Sequence, residues 1–258
     1  MKRIFKLGIG TAALMATFGV AGSAFAQDMN AEGEVGMSLP GAQPGAQAGA
    51  AQGDSDHDAV VGRFGVGYLG AYQVPFPAGP VQAPVVGMRY WIDRMIGLDI
   101  GLGFHNDGGS DTVSAGGNSN TTDIASTTAV LLHGGVPLSL TSSKHFSFQI
   151  VPEVNVGFST QNQKDVNAAG DDISNSGFLL DLGARAGAEI QFGFIGIPEL
   201  ALQGGIGLHF VNTKVTQTTT PNNGPETKNE STRTLIETTV NGNPWDIFTS
   251  NIAALYYF

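Results

Sequence analysis

Apolar side chains recur at alternate positions in eight stretches of this chain, and polar stretches separate them. Period-2 alternation sorts the residues of a strand onto two faces. Residues 63–73 set Phe64, Val66, Tyr68 and Tyr72 against Gly65, Gly67 and Ala71, and residues 83–93 set Val86, Met88, Tyr90 and Ile92 against Gly87, Arg89 and Asp93. Residues 95–105 alternate Ile96, Leu98, Ile100, Leu102 and Phe104 with Gly97, Asp99, Gly101 and Gly103. A fourth strand is predicted over 125–140 and a fifth over 145–160, where Pro152 interrupts the apolar face and removes a ladder hydrogen bond. Residues 176–192 sort most sharply, with Phe178, Leu180, Leu182, Ala184 and Ile190 on one face and Asp181, Arg185 and Glu189 on the other. Residues 197–212 and the final stretch, with Ile252, Ala254, Tyr256 and Phe258 on one face, complete the set. Short turns near 93, 141 and 194 alternate with longer polar connections at 74–82, 106–123, 161–175 and 213–245. The pattern predicts antiparallel, up-and-down strands with short turns at one end and loops at the other.

Alternation alone does not say which face points inward, since a soluble ligand-binding barrel buries its apolar face. Two features choose here. The polar face is largely Gly interleaved with charges of both signs, which suits a crowded lumen. Aromatic residues also gather near strand ends in two groups, Tyr90, Trp91, Phe146, Phe192, Tyr256 and Phe258 against Tyr72, Phe104, Phe158, Phe178, Phe210 and Trp245, as interfacial girdles do. The expected fold is therefore all-β, an eight-stranded antiparallel up-and-down transmembrane β-barrel over residues 62–258.

Composition adds the compartment. Residues 1–26 open with Lys2, Arg3 and Lys6, continue through an apolar run and end on Ser23-Ala24-Phe25-Ala26, the form of a secretory signal peptide. Removing those three bases from the 12 basic residues leaves 9 against 22 acidic, a net charge of −13, which argues against nucleic acid as a partner. The chain has no Cys, so neither a lipid-anchoring cysteine nor a disulfide framework is expected. Residues 27–61 are rich in Ala, Gly, Gln and Pro and cannot bury a core, so they are expected to form a disordered periplasmic linker. Its acids Asp54, Asp56 and Asp58 begin like a calcium loop, but Ala59 and Gly65 stand where such a loop needs Gly and Glu; a solvated linker is the expectation, with no metal and no cofactor.

The closing run, apolar or aromatic at Ile252, Ala254, Tyr256 and Phe258, resembles the C-terminal strand of bacterial outer-membrane β-barrel proteins. With the architecture, the resemblance is to small barrels of the OmpA transmembrane-domain and OmpX type, covering about residues 63–258. It implies a Gram-negative cell envelope, residence in the outer membrane among lipid and lipopolysaccharide, and recognition of Tyr256 and Phe258 by the barrel assembly machinery as an assembly signal. The long N-terminal extension departs from the simplest members of that family.

The candidate site is the lumen. Arg63, Arg89, Asp99, Glu153, Asp181, Arg185, Glu189 and Glu199 are expected to face inward, with Asp93 beside them. An eight-stranded barrel is just wide enough for side chains to fill, and isolated charges there are costly, so each Arg should find carboxylates. Arg185 is expected to pair with Asp181 and Glu189. The favoured function is structural, with loops displayed at the surface over an ion-pair plug, and an unknown surface ligand for those loops. The alternative is a narrow porin-like channel for small solutes or ions, with Glu153, Asp181 and Arg185 at its constriction. A lipid-modifying enzyme is the third class. His105 and His209 near outer strand ends are its candidate bases, but no spacing matches a catalytic motif, and the expectation is no enzyme.

Overall fold

The structure is a computed structural model that describes residues 55–163, 171–222, 224–240 and 251–258. The expected signal peptide, most of the linker and Trp245 lie outside the described residues. The elements are α1 (Asp56–Val60), β1 (Phe64–Val74), β2 (Val81–Trp91), β3 (Gly97–Ala115), β4 (Asn118–Gly135), β5 (Leu138–Ser142), β6 (Phe146–Gln163), β7 (Asp172–Phe192), β8 (Ile197–Thr220), β9 (Thr227–Thr238) and β10 (Ile252–Tyr257). The strand order β10-β1-β2-β3-β4-β6-β7-β8 closes on itself because β10 also pairs with β8. It is an antiparallel barrel with eight strand positions. Two of those positions are each filled by two segments. β4 and β5 follow one another along β6, and β9 and β10 follow one another along β8, which pairs Leu208 with Thr238 and Gly204 with Ile252.

Which face points outward is decided by exposure. Val86, Ile100, Leu102, Phe104, Leu132, Phe158, Leu208 and Phe210 are all exposed, whereas Asp99, Asp181, Arg185 and Glu189 are buried. The apolar face is external, as the charge pattern predicts. On β7 the outward residues from Leu180 to Ile190 run roughly 33 Å at ~3.3 Å per residue. Tilted by about 40°, they span about 25 Å, the height of an outer-membrane apolar band. Among the described residues no helix is long and apolar enough to cross a membrane.

Several expectations are corrected. The stretch 106–123 is a β-ribbon rather than an irregular loop. Asp107 pairs with Thr127 and the ladder continues to Ala115 opposite Asn118, with hydroxyl pairs Thr112–Thr121 and Ser114–Ser119 each at 2.8 Å. Thr and Ser satisfy one another across a ladder, so low hydropathy does not end a strand. The polar parts of 161–175 and 213–245 that are described likewise extend β6, β7, β8 and β9 past the apolar belt.

Strand one also reverses its faces midway. The register shifts between Tyr68 and Gly70, whose φ is 122°. This bulge, at a backbone angle that favours glycine, buries Leu69 and Val74 and turns Tyr72 into the lumen, so Tyr72 is no girdle residue. Trp91 is not one either: it is fully buried and donates from Nε1 to the Tyr257 hydroxyl at 3.1 Å. Asp93 is exposed, its carboxylate accepting from the Met95 and Ile96 amides to fix the turn.

Pro152 acquires an explanation. Its carbonyl accepts from Val136, in the break between β4 and β5. The missing N–H therefore faces the interruption between β4 and β5 rather than the middle of a continuous ladder.

Residues 55–60 are ordered, where the linker was expected to continue to 61. Ser55 caps α1, accepting from Asp58 N at 3.3 Å, while Asp58 Oδ2 accepts from Ser55 N at 3.2 Å. His57 is buried edge-on to Trp91, with ring centroids 4.5 Å apart. Asp56 Oδ2 lies 2.7 Å from His145 Nδ1, and Asp58 pairs with Arg94 at 2.9 Å. Asp56 and Asp58, two of the acids that begin like a calcium loop, thus pin a helix over the short-turn mouth of the barrel.

Candidate functional site

The lumen is crossed by two layers of polar side chains. The layer nearer the short turns is built on Arg89, whose side chain is wholly inaccessible. Its Nε and one terminal nitrogen grip Asp99 at 2.7 Å each, and the same nitrogen reaches Gln203 Oε1 at 2.8 Å. The other terminal nitrogen donates to Glu189 at 2.6 Å and to Gln149 at 3.4 Å. All five N–H donors of the guanidinium are engaged. Asp99 is the direct ladder neighbour of Arg89, which explains the bidentate geometry. Glu189 is on β7, diametrically opposite β2 in the eight-membered ring. The contact therefore spans the barrel. Gln203 also donates to Gln149 at 3.0 Å, and Trp91 lies beneath the guanidinium, 5.9 Å from its ring centroid.

The second layer lies toward the ribbons. Arg185 donates from Nε to Glu153 Oε2 at 2.8 Å, and its terminal nitrogen lies 2.8 Å from the same oxygen. The Tyr72 hydroxyl, on the opposite strand of the ring, donates to that oxygen at 3.3 Å. Asp181 Oδ1 is 2.7 Å from His209 Nδ1, and Asp181 Oδ2 accepts from Asn155 Nδ2 at 3.0 Å. Asn155 Oδ1 in turn lies 2.7 Å from His133 Nδ1, and the His133 ring stacks on Tyr72. These groups form one connected network from β4 to β8.

Of the eight sequence-predicted residues, Arg89, Asp99 and Glu189 meet in the first layer and Glu153, Asp181 and Arg185 in the second. Arg63 and Glu199 stand apart, 3.7 Å from each other at the short-turn rim and partly exposed. The expected partners of Arg185 are wrong. Asp181 and Glu189 are four residues away along β7, roughly 13 Å, whereas the adjacent strand brings Glu153 within reach. Cross-strand neighbours decide the pairing. Gln149, Asn155, His133 and Gln203 share the alternating polar faces of their strands, a signal that marks them as inward but names no partner. Sequence reasoning lacked Tyr72, because one bulge reverses the parity by which such residues are found.

Tyr256 and Phe258 point outward beside each other, their ring centroids 5.2 Å apart, and Phe258 N donates to Phe64 O at 2.8 Å. They belong to the exposed belt at the short-turn end.

Above the second layer lies a cavity of about 290 Å³, reached by Tyr72, Glu153, Asp181, His209 and Glu237. A second of about 260 Å³ shares Gln73, Leu179, Val211 and Glu237 with it and adds Pro75, Phe76, Leu235 and Arg233. The β1–β2 turn helps wall this upper space by folding inward, its Pro75 carbonyl accepting from Ser159 at 2.6 Å. Gly177 permits that approach, since a Cβ there would collide with the carbonyl. Among the described residues no group of three metal-ligating side chains could hold an ion.

Neither a protein-family model nor a curated protein matches the sequence. Among solved structures, the chain is similar to a major outer membrane protein from Thermus thermophilus, with 17% identity over 76% of this chain and 98% of that one and a TM-score of 0.42. The class defined by the geometry is a closed antiparallel β-barrel with an apolar exterior and a lumen packed with paired ions.

Proposed function

We propose that this protein is a bacterial outer-membrane barrel of the small OmpA/OmpX type that does not conduct, and that its work is structural, holding β-ribbons at the cell surface. The single observation that carries the reading is Arg89 joined to Glu189 across the full width of the lumen, with no side chain of that pair exposed. A guanidinium with every donor engaged and two carboxylates attached is held too firmly to serve as a gate. The α1 helix supports the reading from below. The aromatic girdles, the signal peptide expected at residues 1–26 and the outward Tyr256 and Phe258 support the envelope location, with lipid, lipopolysaccharide and the assembly machinery as partners. The reading contains no catalytic step. It places the short turns in the periplasm and the ribbons outside.

Because the chain has no native cysteine, single cysteines report topology cleanly. Asn118→Cys at the β3–β4 ribbon tip should react with a membrane-impermeant maleimide on intact cells, and Ser143→Cys in a short turn should react only after lysis. Equal labelling of both in intact cells, or of neither, would overturn the assignment.

A further inference from the structure

The ribbon end of the lumen holds an arginine without a partner. Arg63, Arg89, Arg94 and Arg185 each reach a carboxylate, whereas the Arg233 side chain has neither an ion pair nor a hydrogen bond among the described residues. The ladders fix its place. Leu179, Thr213 and Arg233 form one row across β7, β8 and β9, and Val211 and Leu235 lie in the next row toward the ion layers. All five line the second cavity together with Phe76 from the inward-folded β1–β2 turn. Phe76, Leu179 and Val211 are buried and Leu235 is half-buried, while Arg233 is exposed and open to a ligand entering from the ribbon end. An apolar wall with one free charged group at its rim suits an amphipathic ion of opposite sign. The carboxylates nearby do not spoil the match. Glu153 and Asp181, deeper in the joined cavity, are held by Arg185 and His209. Glu237 is half-buried and lines both cavities, but it lies four residues from Arg233 along β9, roughly 13 Å at ~3.3 Å per residue. That exceeds the screening length of about 8 Å at physiological ionic strength, so an anionic head at Arg233 stands clear of it. A guanidinium fork matches a carboxylate edge, and the cavity of about 260 Å³ has room for roughly eight groups of about 30 Å³ each.

We propose that this cup binds small alkyl carboxylates, with Arg233 holding the carboxylate at the rim and the chain lying along Leu235, Val211 and Leu179 against Phe76. The floor is the ion layer, so the cup receives a ligand from the ribbon end and passes nothing through. The inference requires only the folded barrel and is independent of which membrane holds it.

Refolded protein in phosphatidylcholine nanodiscs is titrated calorimetrically with hexanoate, acetate, 1-hexanol and inorganic phosphate, with empty discs as the blank for partition into lipid. Saturable one-to-one binding of hexanoate is expected. Acetate, which lacks the chain, and hexanol, which lacks the charge, should each be weaker by at least about tenfold. Arg233→Gln breaks no ion pair among the described residues and should weaken hexanoate by about tenfold or more, with heat-modified gel mobility checking that the barrel has formed. Glu237→Gln removes the repelling carboxylate and should tighten hexanoate. No saturable binding of hexanoate by the wild type, acetate or hexanol equal to it, phosphate tighter than it, affinity unchanged in Arg233→Gln, or affinity lowered in Glu237→Gln would each overturn the proposal.

Discussion

Replacing Arg89 by Met removes the group on which the first lumen layer is assembled. The side chains of Arg89, Asp99 and Glu189 are all inaccessible, so neither carboxylate can turn to water when the guanidinium is lost. Breaking a buried ion pair by removing one partner costs about 3–5 kcal/mol. Here two carboxylates lose their cation and Gln203 loses its donor, which argues for the upper part of that range. Protonation of one carboxylate limits the loss. The reasoning also predicts a rescue. Replacing Arg89, Asp99 and Glu189 together by Met removes all three buried charges, and apolar replacement of a whole buried ion set is often neutral or stabilising. Equilibrium urea unfolding in detergent micelles, followed by far-ultraviolet circular dichroism, measures both variants. A loss below about 1 kcal/mol in the single variant, the value of a surface pair, would refute the account of the layer, as would a triple variant less stable than the single one.

Other expectations follow from particular contacts. Gly70→Val places a β-branched residue at a φ of 122° and should destabilise the barrel by about 1–3 kcal/mol, read as a shift of the urea midpoint; an unchanged midpoint would show that the bulge is dispensable. Ser55→Ala removes the cap of α1, worth about 0.5–2 kcal/mol, and should speed hydrogen exchange of the Asp58 amide by roughly two- to thirtyfold; unaltered exchange would mean that α1 is held without its cap. On the exposed ribbons, hydrogen bonds from Lys214 and then Lys228 hold the Glu230 carboxyl below its ordinary value. Any stabilisation from this cluster is present above the unfolded carboxyl value and fades as pH falls through the lower folded one. A carbon-detected titration should give a depressed midpoint that moves upward in Lys214→Met, and a midpoint that stays put would remove Lys214 as the cause. Arg185→Leu strands Glu153 rather than Asp181 or Glu189, so adding Glu153→Leu should restore part of the lost stability; no recovery would count against the pair.

Much of the barrel was legible because lipid and lumen impose opposite demands on successive residues. Where that alternation runs unbroken, as from Leu180 to Ile190 or from Gly97 to Phe104, the strand and its inward charges could be read directly. The reading failed wherever a local event broke the period. The Gly70 bulge inverts the second half of β1, so Tyr72 looked like a girdle residue. The ribbons failed for a different reason: hydroxyl ladders such as Thr112–Thr121 stabilise strands without any hydrophobic signature. Helix α1 is too short and polar to announce itself, although Ser55 followed by Asp58 is a capping pair. In the lumen, residue identities told which side chains must be paired but not with which partner, because register between strands is a tertiary property. Arg185 shows this most plainly, having two carboxylates on its own face of β7 and bonding to neither.

The central claim is that paired ions close the lumen, and single-channel recording in a planar bilayer tests it most directly. Residues 27–258, refolded and shown by heat-modified gel mobility to have inserted as a barrel, should give no steady conductance under an applied voltage. A stable conducting level that scales with the number of inserted barrels would contradict the claim, since ions would then be passing the Arg89–Glu189 contact that the account holds closed.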